Sequence, residues 1–332
     1  MKTLFVLLDG AEDHPLPALH GLKPLDVAHM PYLKNKTPYK YCTEGRSYTH
    51  KFLTEFFTGL PPRTSRGAFE ALGLDMDMTA GRVAYRLSPA MIDDDSINWA
   101  YCIEERVSDL MDIVEENMPI INHMLPDINF FLKGRAVITL ESEIIMNLPG
   151  PPVSAQMVPV DGCLGDFVKC VAHAMDGLTL FPWGGGKLEQ ENELIEGITP
   201  LTVVSNSPTA LGISKALGEK AIRVNDLSER FPVALDHLSH SNVLLHVDET
   251  DEYSHQHRSD LKVETLELTD RLMEQYFPNV GKLVFLVDHG TSCITGEHLP
   301  VTVPLWSNYE INQSPGSFIP LCKLLRQLIR PM

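Results

Sequence analysis

Three apolar runs that each end in acidic or histidine side chains constrain this chain of 332 residues more than any other feature. They occupy residues 2–8, 242–245 and 282–287, and they are followed by Asp9, by the segment 246–255 and by Asp288-His289. Continuous apolar strands of this kind belong to parallel sheets that are covered on both faces. In such sheets, ligands bind outside the carboxyl ends of the strands. The pattern therefore predicts an α/β fold with a ligand site at one edge of the sheet.

Side chains near these strand ends have the chemistry of metal ligands. They are Asp9, Asp251, His255, Asp288, His289 and His298. A single aspartate at a strand end is more often a turn former, and a single histidine is more often a packed residue, so the prediction depends on all of them together. Asp251 and His255 are four residues apart, which places both side chains on one face of a helical turn. His246, Asp248 and His257 fall outside the pattern and are expected to support the ligands or to lie on the surface.

The ligand set indicates the kind of metal and the kind of reaction. Mixed nitrogen and oxygen ligands suit zinc or manganese, and this set is too large for one tetrahedral ion. We therefore expect two divalent ions, manganese or zinc, as cofactors. Paired ions can clamp the attacking and the leaving oxygens of a phosphoryl transfer.

The length and the order of the predicted elements indicate two domains. A chain of 332 residues is too long for one compact core. We expect residues 1–90 and 180–332 to form the metal-binding core, as a mostly parallel sheet sandwiched by helices. Residues 91–179 are expected to form an inserted, smaller α+β cap domain.

The formal net charge of −17 argues against nucleic acid as a partner, because such binding depends on Lys and Arg that neutralise phosphates. It also disfavours anionic membrane surfaces, and no apolar run is long enough to cross a bilayer. Bound metal ions would supply local positive charge for a small anionic, phosphorylated substrate. The short N-terminal run meets Asp9 at once, unlike a secretion signal, and the cysteines form no Cys-x-x-Cys pair. A cytoplasmic location is expected, and the oligomeric state stays open.

Two further segments offer groups that would act on a substrate. A helix is expected to end at Gly59, and Ser47 and Thr49 stand just before its start. Such a hydroxyl is ordinarily an N-cap, but it can also be a nucleophile in the positive field of the helix N-terminus. The glycine-rich segment 183–187 lacks the pattern of a phosphate-binding P-loop, so we expect a turn there. Lys187, at its end, is a candidate substrate contact.

Several of these segments resemble the archaeal-type cofactor-independent phosphoglycerate mutases, which belong to the alkaline phosphatase superfamily. The segments are Asp9-Gly10, 66–73, 182–184, 246–255, and Asp288-His289 with His298 beyond. The resemblance extends to about residue 90 and resumes near residue 180, and it implies a metal-dependent core with an inserted cap. It implies one ion held by Asp251, His255 and His298, and another held by Asp9, Asp288 and His289.

The resemblance also implies a Ser or Thr nucleophile that shares the second ion, takes the phosphoryl group and passes it to another hydroxyl or to water. Its expected place is the start of the helix that ends at Gly59. Thr49 is the first candidate there, and Ser47 is the second.

The substrate clamp departs from the pattern of this family. The mutases carry an Asp-Arg-Arg-Ala-Gly-Arg segment whose arginines hold the phosphate and the carboxylate of the substrate. The matching stretch here, residues 98–103, contains no cation, and a substrate lysine of the family falls at Leu211. Because arginine forks recognise these anions through two-point hydrogen bonds, the clamp for phosphoglycerate is altered. Arg66 and Lys187 are the candidate replacements.

Three functions stay open. The first is a phosphoryl hydrolase or transferase that acts on a phosphate ester other than phosphoglycerate. The second is a phosphoglycerate mutase whose clamp uses other cations, such as Arg66, Arg86 or Lys187. The third is a metal-binding or scaffold homologue without catalysis.

Overall fold

The computed structural model describes residues 2–79, 81–93, 96–101, 103–142, 150–152, 155–156 and 162–329. Its strands are β1 (Thr3–Leu8), β2 (Tyr39–Glu44), β3 (Arg82–Asp93), β4 (Ser96–Trp99), β5 (Asp127–Phe131), β6 (Arg135–Glu141), β7 (Ala155–Gln156), β8 (Leu178–Gly186), β9 (Leu201–Ser205), β10 (Lys220–Arg223), β11 (Asn242–Val247), β12 (Lys282–Val287), β13 (Gly290–Thr291), β14 (His298–Leu299) and β15 (Thr302–Ser307). Its α-helices are α1 (Pro24–Val27), α2 (Pro31–Lys36), α3 (Thr49–Thr58), α4 (Arg66–Gly73), α5 (Val107–Asn117), α6 (Gly162–Ala174), α7 (Pro208–Ala216), α8 (Leu227–Leu238), α9 (Glu249–His255), α10 (Ser259–Tyr276) and α11 (Leu321–Ile329). Short 3₁₀-helices span Pro17–Leu19, Glu104–Arg106 and Met118–Met124.

The chain divides into two compact units, which are a core unit, Met1–Pro62 with Glu191–Met332, and a second unit, Arg63–Gln190. The boundaries expected from the sequence, at residues 90 and 180, lie inside the second unit. The reason is β3, which begins at Arg82 and pairs with β6 and β8 over most of its length. In its sequence, a buried strand of this kind resembles a strand of the core unit, because an apolar pattern does not reveal which sheet the strand joins.

The core unit is built on a seven-stranded, mostly parallel sheet, as the apolar runs predict. Its strand order is β10-β9-β11-β1-β12-β15-β2. Neighbouring strands from β10 to β12 are parallel, whereas β15 and β2 pair antiparallel at one edge. Every residue of β1 and β11 is buried, which is expected of central strands with both faces covered.

Two helices of the core unit carry polar residues to the end of the sheet. The first, α3, buries Phe52, Phe56 and Phe57 and ends, as predicted, just before Gly59. The second, α9, begins two residues after β11, so its first turns stay close to the strand end. Among the described residues, no helix combines the length and the apolar character needed to span a bilayer.

The second unit is an α+β unit on an antiparallel sheet of order β5-β6-β3-β4-β7, with β8 also paired to β3. The turn expected at residues 183–187 is wrong, because residues 183–186 complete β8. A Cβ on Gly185 would lie 2.0 Å from Cε1 of Tyr85, so the missing side chain lets the strand pass the ring. Lys187 follows this strand directly. Cys102, in the stretch that replaces the arginine clamp, lies outside the described residues.

Candidate metal centre

The parallel strands deliver aspartates to the same edge of the core sheet. Leu8, the last residue of β1, is the register partner of both Val247 in β11 and Val287 in β12. The residues that directly follow these strands are Asp9, Asp248 and Asp288. Because carboxyl ends of parallel strands in register meet at one edge, the carboxylates converge there.

Short elements bring the histidines to this edge. Helix α9 carries Asp251 and His255 on one face, with Nε2 of His255 3.1 Å from Oδ2 of Asp251. Strand β14 pairs antiparallel with β13, so that His298 lies opposite Thr291. The rings of His298 and His289 then stack with their centroids 4.3 Å apart. All of the side chains that the sequence singles out as ligands are therefore gathered in one centre.

The histidine-rich cluster consists of Asp251, His255 and His298. Backbone carbonyls only accept, so Nδ1 of His255 donates to Gly296 and Nδ1 of His298 donates to Ser47, each at 2.6 Å. A neutral imidazole with its proton on Nδ1 has a lone pair on Nε2, and the two Nε2 atoms are 3.1 Å apart. Lone pairs that face each other beside a carboxylate repel unless a cation lies among them. Two nitrogens bound to one tetrahedral zinc would be about 3.3 Å apart, so the cluster fits a metal ion.

The acid-rich cluster consists of Asp9, Asp288 and His289. Nε2 of His289 lies 3.3 Å from Oδ1 of Asp9 and 3.7 Å from Oδ2 of Asp288. Oδ2 of Asp288 is buried and accepts no hydrogen bond from any residue that the structure describes. The Thr291 hydroxyl donates its only proton to Asp251, so Nδ1 of His289, 3.3 Å away, donates to that hydroxyl. Nε2 of a neutral His289 is then also an acceptor, and a cation would satisfy all of these facing acceptors.

Asp251 reaches both clusters. A carboxylate oxygen of Asp251 lies within 4.8 Å of ligand atoms of Asp9 and His289, as well as of the imidazoles in its own cluster. Gly10 makes room for it, since this residue has a φ of +60° and a Cβ there would lie 2.5 Å from Oδ1 of Asp251. Any side chain at position 10 would displace the shared carboxylate. The centre is therefore two adjoining groups of potential ligands joined through one residue.

The charges of the centre favour cation binding. Burial raises the pKa of Asp9 well above its ordinary value, and the nearby carboxylates of Asp288 and Asp251 raise it further. Burial also raises the pKa of Asp288. Burial acts in the same direction on Asp251, but positive charge on the imidazoles of His255 and His298, when these are protonated, outweighs burial and holds the pKa of Asp251 well below its ordinary value. Crowded carboxylates that are costly to ionise together become stable in the ionised form beside a divalent ion.

Thr49 places a hydroxyl against the acid-rich cluster. It is the first residue of α3, and its Oγ1 lies 3.2 Å from both carboxylate oxygens of Asp9. Ser47, the second candidate nucleophile, contributes its backbone carbonyl to His298. Tyr48, between them, packs its ring 5.5 Å from the ring of His298. The Thr49 hydroxyl is therefore bonded to a potential ligand at a helix N-terminus, where negative charge is stabilised.

The candidate substrate cations Arg66, Arg86 and Lys187 belong to the second unit, whereas the potential ligands belong to the core unit. Nε of Arg66 lies 3.0 Å from Oε1 of Glu70, and Nη1 of Arg86 lies 2.6 Å from the same oxygen. Arg86 is buried, and burial lowers its pKa to about 10. Arg66 also packs over the ring of Trp183. Both arginines thus hold the buried carboxylate of Glu70.

The polar residues outside the ligand pattern differ in what they contact. Nε2 of His246 lies 2.8 Å from Oδ2 of Asp9. Asp248 accepts a hydrogen bond at 2.7 Å from the fully buried Arg230. His257 contacts a backbone carbonyl at 3.1 Å. His246 is therefore the member of this set that touches a potential ligand directly.

Two contributors to the centre are not expected from the sequence. Thr291 bonds both Asp251 and His289 through its hydroxyl, and Ser205 lies 2.8 Å from Nδ1 of His246. Only its position in the sequence could have indicated Ser205, because this residue ends the apolar strand β9 just as Asp9 follows β1. A serine at such a place is so common that composition alone does not single it out.

Comparison with known proteins identifies the relatives of this chain, although no protein-family model matches it. The 2,3-bisphosphoglycerate-independent phosphoglycerate mutase of Saccharolobus solfataricus is 27% identical over 390 aligned residues, which cover 96% of this chain and 91% of that protein. The protein of the same name from Pyrococcus horikoshii is 23% identical, over 92% of this chain and 87% of its own length. Among solved structures, the PH0037 protein from Pyrococcus horikoshii has a TM-score of 0.69 and 19% identity, over 98% of this chain and 96% of that one. The cofactor-independent phosphoglycerate mutase from Thermoplasma acidophilum has a TM-score of 0.54 and 19% identity, over 99% and 100% of the two chains. The chain is therefore similar over nearly its whole length to archaeal 2,3-bisphosphoglycerate-independent phosphoglycerate mutases, as the sequence segments predict.

Proposed function

We propose that this protein is a metal-dependent phosphoryl-transfer enzyme, a phosphomutase or a phosphatase, that acts on a small phosphate ester. The observation that carries the proposal is the Thr49 hydroxyl, which lies 3.2 Å from Asp9 where two groups of potential metal ligands adjoin. Relatives that align with nearly the whole chain are phosphoglycerate mutases by name, which supports phosphoryl transfer.

The residues present fit two divalent ions, manganese or zinc. The histidine-rich cluster would hold one ion and the acid-rich cluster the other, and Asp251 would reach both. Imidazole ligands suit zinc, whereas carboxylates suit manganese. When bound, the ions would supply the positive charge that attracts a phosphate ester and offsets negative charge during the transfer.

Thr49 is the proposed nucleophile. Its hydroxyl donates to Asp9, which leaves a lone pair of Oγ1 directed away from that carboxylate. In the transfer, a bond forms between Oγ1 and phosphorus, the bond from phosphorus to the leaving oxygen breaks, and the hydroxyl proton passes to Asp9. The phosphorylated Thr49 then passes its group to a second hydroxyl of the substrate or to water.

The proposed substrate is a phosphate ester other than phosphoglycerate, because the stretch 98–103 contains no arginine. Arg66 and Lys187 remain the proposed substrate cations of the second unit. Since the Arg66 guanidinium already binds Glu70, Lys187 is the more adaptable of the two. If either cation contributes to substrate binding but not to the chemical step, we expect its alanine variant to raise KM with little change in kcat.

The direct test loads the protein with Mn²⁺ or Zn²⁺ and measures two activities. These are phosphate release from p-nitrophenyl phosphate and the interconversion of 3- and 2-phosphoglycerate. Phosphorylated protein is identified in parallel by mass spectrometry, with T49A and S47A as matched variants. Phosphate on Thr49, together with turnover that is lost in T49A and kept in S47A, supports the proposal.

The opposite results separate the alternatives. Interconversion of the phosphoglycerates would favour a true mutase with a rebuilt clamp. Bound metal with neither turnover nor phosphorylated protein would favour the non-catalytic alternative. Protein that takes up neither metal would overturn the metal-dependent function itself.

A further inference from the structure

We propose that His246 and Ser205 are positioning residues that fix which oxygen of Asp9 is offered to the cation of the acid-rich cluster, an inference that rests on the proposed function. His246 lies on β11 and Ser205 on the neighbouring β9, directly after the register partners Leu245 and Val204. Both side chains are fully buried. The sheet therefore places the two residues side by side, behind Asp9.

The hydrogen bonds of this pair run in one direction. The backbone N–H of Ser207 donates to Oγ of Ser205 at 2.9 Å, which leaves the hydroxyl proton for another acceptor. Nδ1 of His246 lies 2.8 Å from the same Oγ, and it accepts that proton because the other ring nitrogen faces a carboxylate oxygen, which only accepts. A neutral imidazole that accepts at Nδ1 carries its own proton on Nε2, and Nε2 lies 2.8 Å from Oδ2 of Asp9. His246 therefore donates to Oδ2 of Asp9.

This bond divides the two oxygens of Asp9 between two tasks. Oδ2 accepts from His246, whereas Oδ1 lies 3.3 Å from Nε2 of His289 and faces the other potential ligands. The main chain of Asp9 is fixed separately, because its N–H donates to Val247 at 3.0 Å and its carbonyl accepts from the Thr250 hydroxyl. Thr49 Oγ1 lies 3.2 Å from both oxygens of Asp9 and does not distinguish them, so the His246 bond is the contact that favours one rotation of the carboxylate over the other. Removing a partner that orients a metal ligand in this way typically costs about 10–100-fold in metal affinity.

The experiment measures the number and the affinity of bound Mn²⁺ ions by isothermal titration calorimetry, in the full chain and in four variants. H246L removes both polar atoms of the imidazole, whereas H246Q keeps one donor and one acceptor. S205A removes the hydroxyl that fixes the tautomer of His246. T202V is the matched control, because Thr202 on the same strand forms a buried hydroxyl pair with Ser241 at 2.8 Å.

We expect H246L to weaken one ion by about 10–100-fold and to leave the other unchanged. H246Q should recover most of that affinity, S205A should lie between H246L and the unaltered protein, and T202V should bind both ions normally. Unchanged binding in H246L and S205A would overturn the assignment, and so would a loss of both ions that T202V shares. If circular dichroism shows that H246L does not fold, S205A decides by the same criterion. Unaltered protein that binds fewer than two ions would overturn the proposed two-ion function and this assignment with it.

Discussion

The two ligand clusters meet at one carboxylate but are held in place by different means. In the histidine-rich cluster, His255 and His298 donate to backbone carbonyls, and the His298 side chain keeps 12% of its surface exposed. In the acid-rich cluster, Asp288 and His289 are completely buried, and the hydroxyl of Thr291 orients the imidazole. The imidazoles on the short helix and the hairpin are thus fixed by main-chain carbonyls. At the strand ends, Asp9 and His289 contact neighbouring side chains, whereas Oδ1 of Asp288 accepts hydrogen bonds from the main-chain N–H groups of Gly10 and His289. Substitutions outside the ligand set should therefore disturb the acid-rich cluster more readily than the histidine-rich one.

The sharpest test of this comparison is Thr49, which contacts the acid-rich cluster. T49A removes the proposed nucleophile, so we expect turnover of a phosphate ester to fall by about 10³-fold or more. T49S keeps a hydroxyl at the same place and should retain measurable activity. Steady-state kinetics on metal-loaded protein measures both variants. Activity in T49A within tenfold of the unaltered protein would place the nucleophile elsewhere.

The next prediction compares Asp251, which reaches both clusters, with Asp288, which belongs to the acid-rich cluster only. D251N changes the carboxylate that reaches both clusters, so we expect it to bind neither ion tightly. D288N changes a residue of the acid-rich cluster only and should keep one tightly bound ion. Metal content after gel filtration, measured by inductively coupled plasma mass spectrometry, distinguishes these outcomes. Equal metal content in the two variants would show that Asp251 is not shared.

Removal of one imidazole should break the histidine-rich cluster alone. We expect H298A to weaken a single ion by about 100-fold or more, because a direct ligand matters at least as much as a group that orients one. H257A is the matched control, since His257 contacts only a backbone carbonyl among the interactions described for it. Titration with Zn²⁺ measures both. The comparison of clusters fails if H257A loses as much affinity as H298A.

The smallest expected effect concerns pH. In metal-free protein, burial raises the pKa of Asp9 and of Asp288, so folding favours their protonated forms. These two residues therefore stabilise the metal-free fold at low pH. That contribution to the free energy of unfolding is lost as the pH rises from the pKa of an ordinary aspartate through the raised pKa values of the folded protein. Divalent ions bind the ionised forms and oppose this trend, with about 2.7 kcal/mol of added stability at a concentration of 100 Kd. Thermal unfolding should show a larger increase in Tm on adding Mn²⁺ near pH 8 than near pH 5, and an equal increase would contradict the account.

Much of the centre can be predicted from the sequence, because the ends of apolar strands can be recognised there. An apolar run that stops at Asp9 or Asp288 specifies both a strand and the edge where its last side chain lies. The sharing of Asp251 cannot be predicted in this way, since it depends on the angle between α9 and the strands. The sequence also does not indicate which unit β3 belongs to, because the strand has the same apolar pattern whichever sheet it joins. The end of strand β8 is not evident from the sequence, because its glycines, which pass the ring of Tyr85, resemble those of a turn.

The strand order has a consequence for how the protein is made. In the sheet, β1 lies between β11 and β12, which both come more than two hundred residues later in the sequence. A nascent chain on the ribosome thus carries Asp9 and Thr49 for most of its elongation without Asp251 or Asp288 beside them. The acid-rich cluster is therefore assembled only after those late strands have docked on either side of β1. A chain cut short before β12 would lack both Asp288 and His289 and could not form the acid-rich cluster.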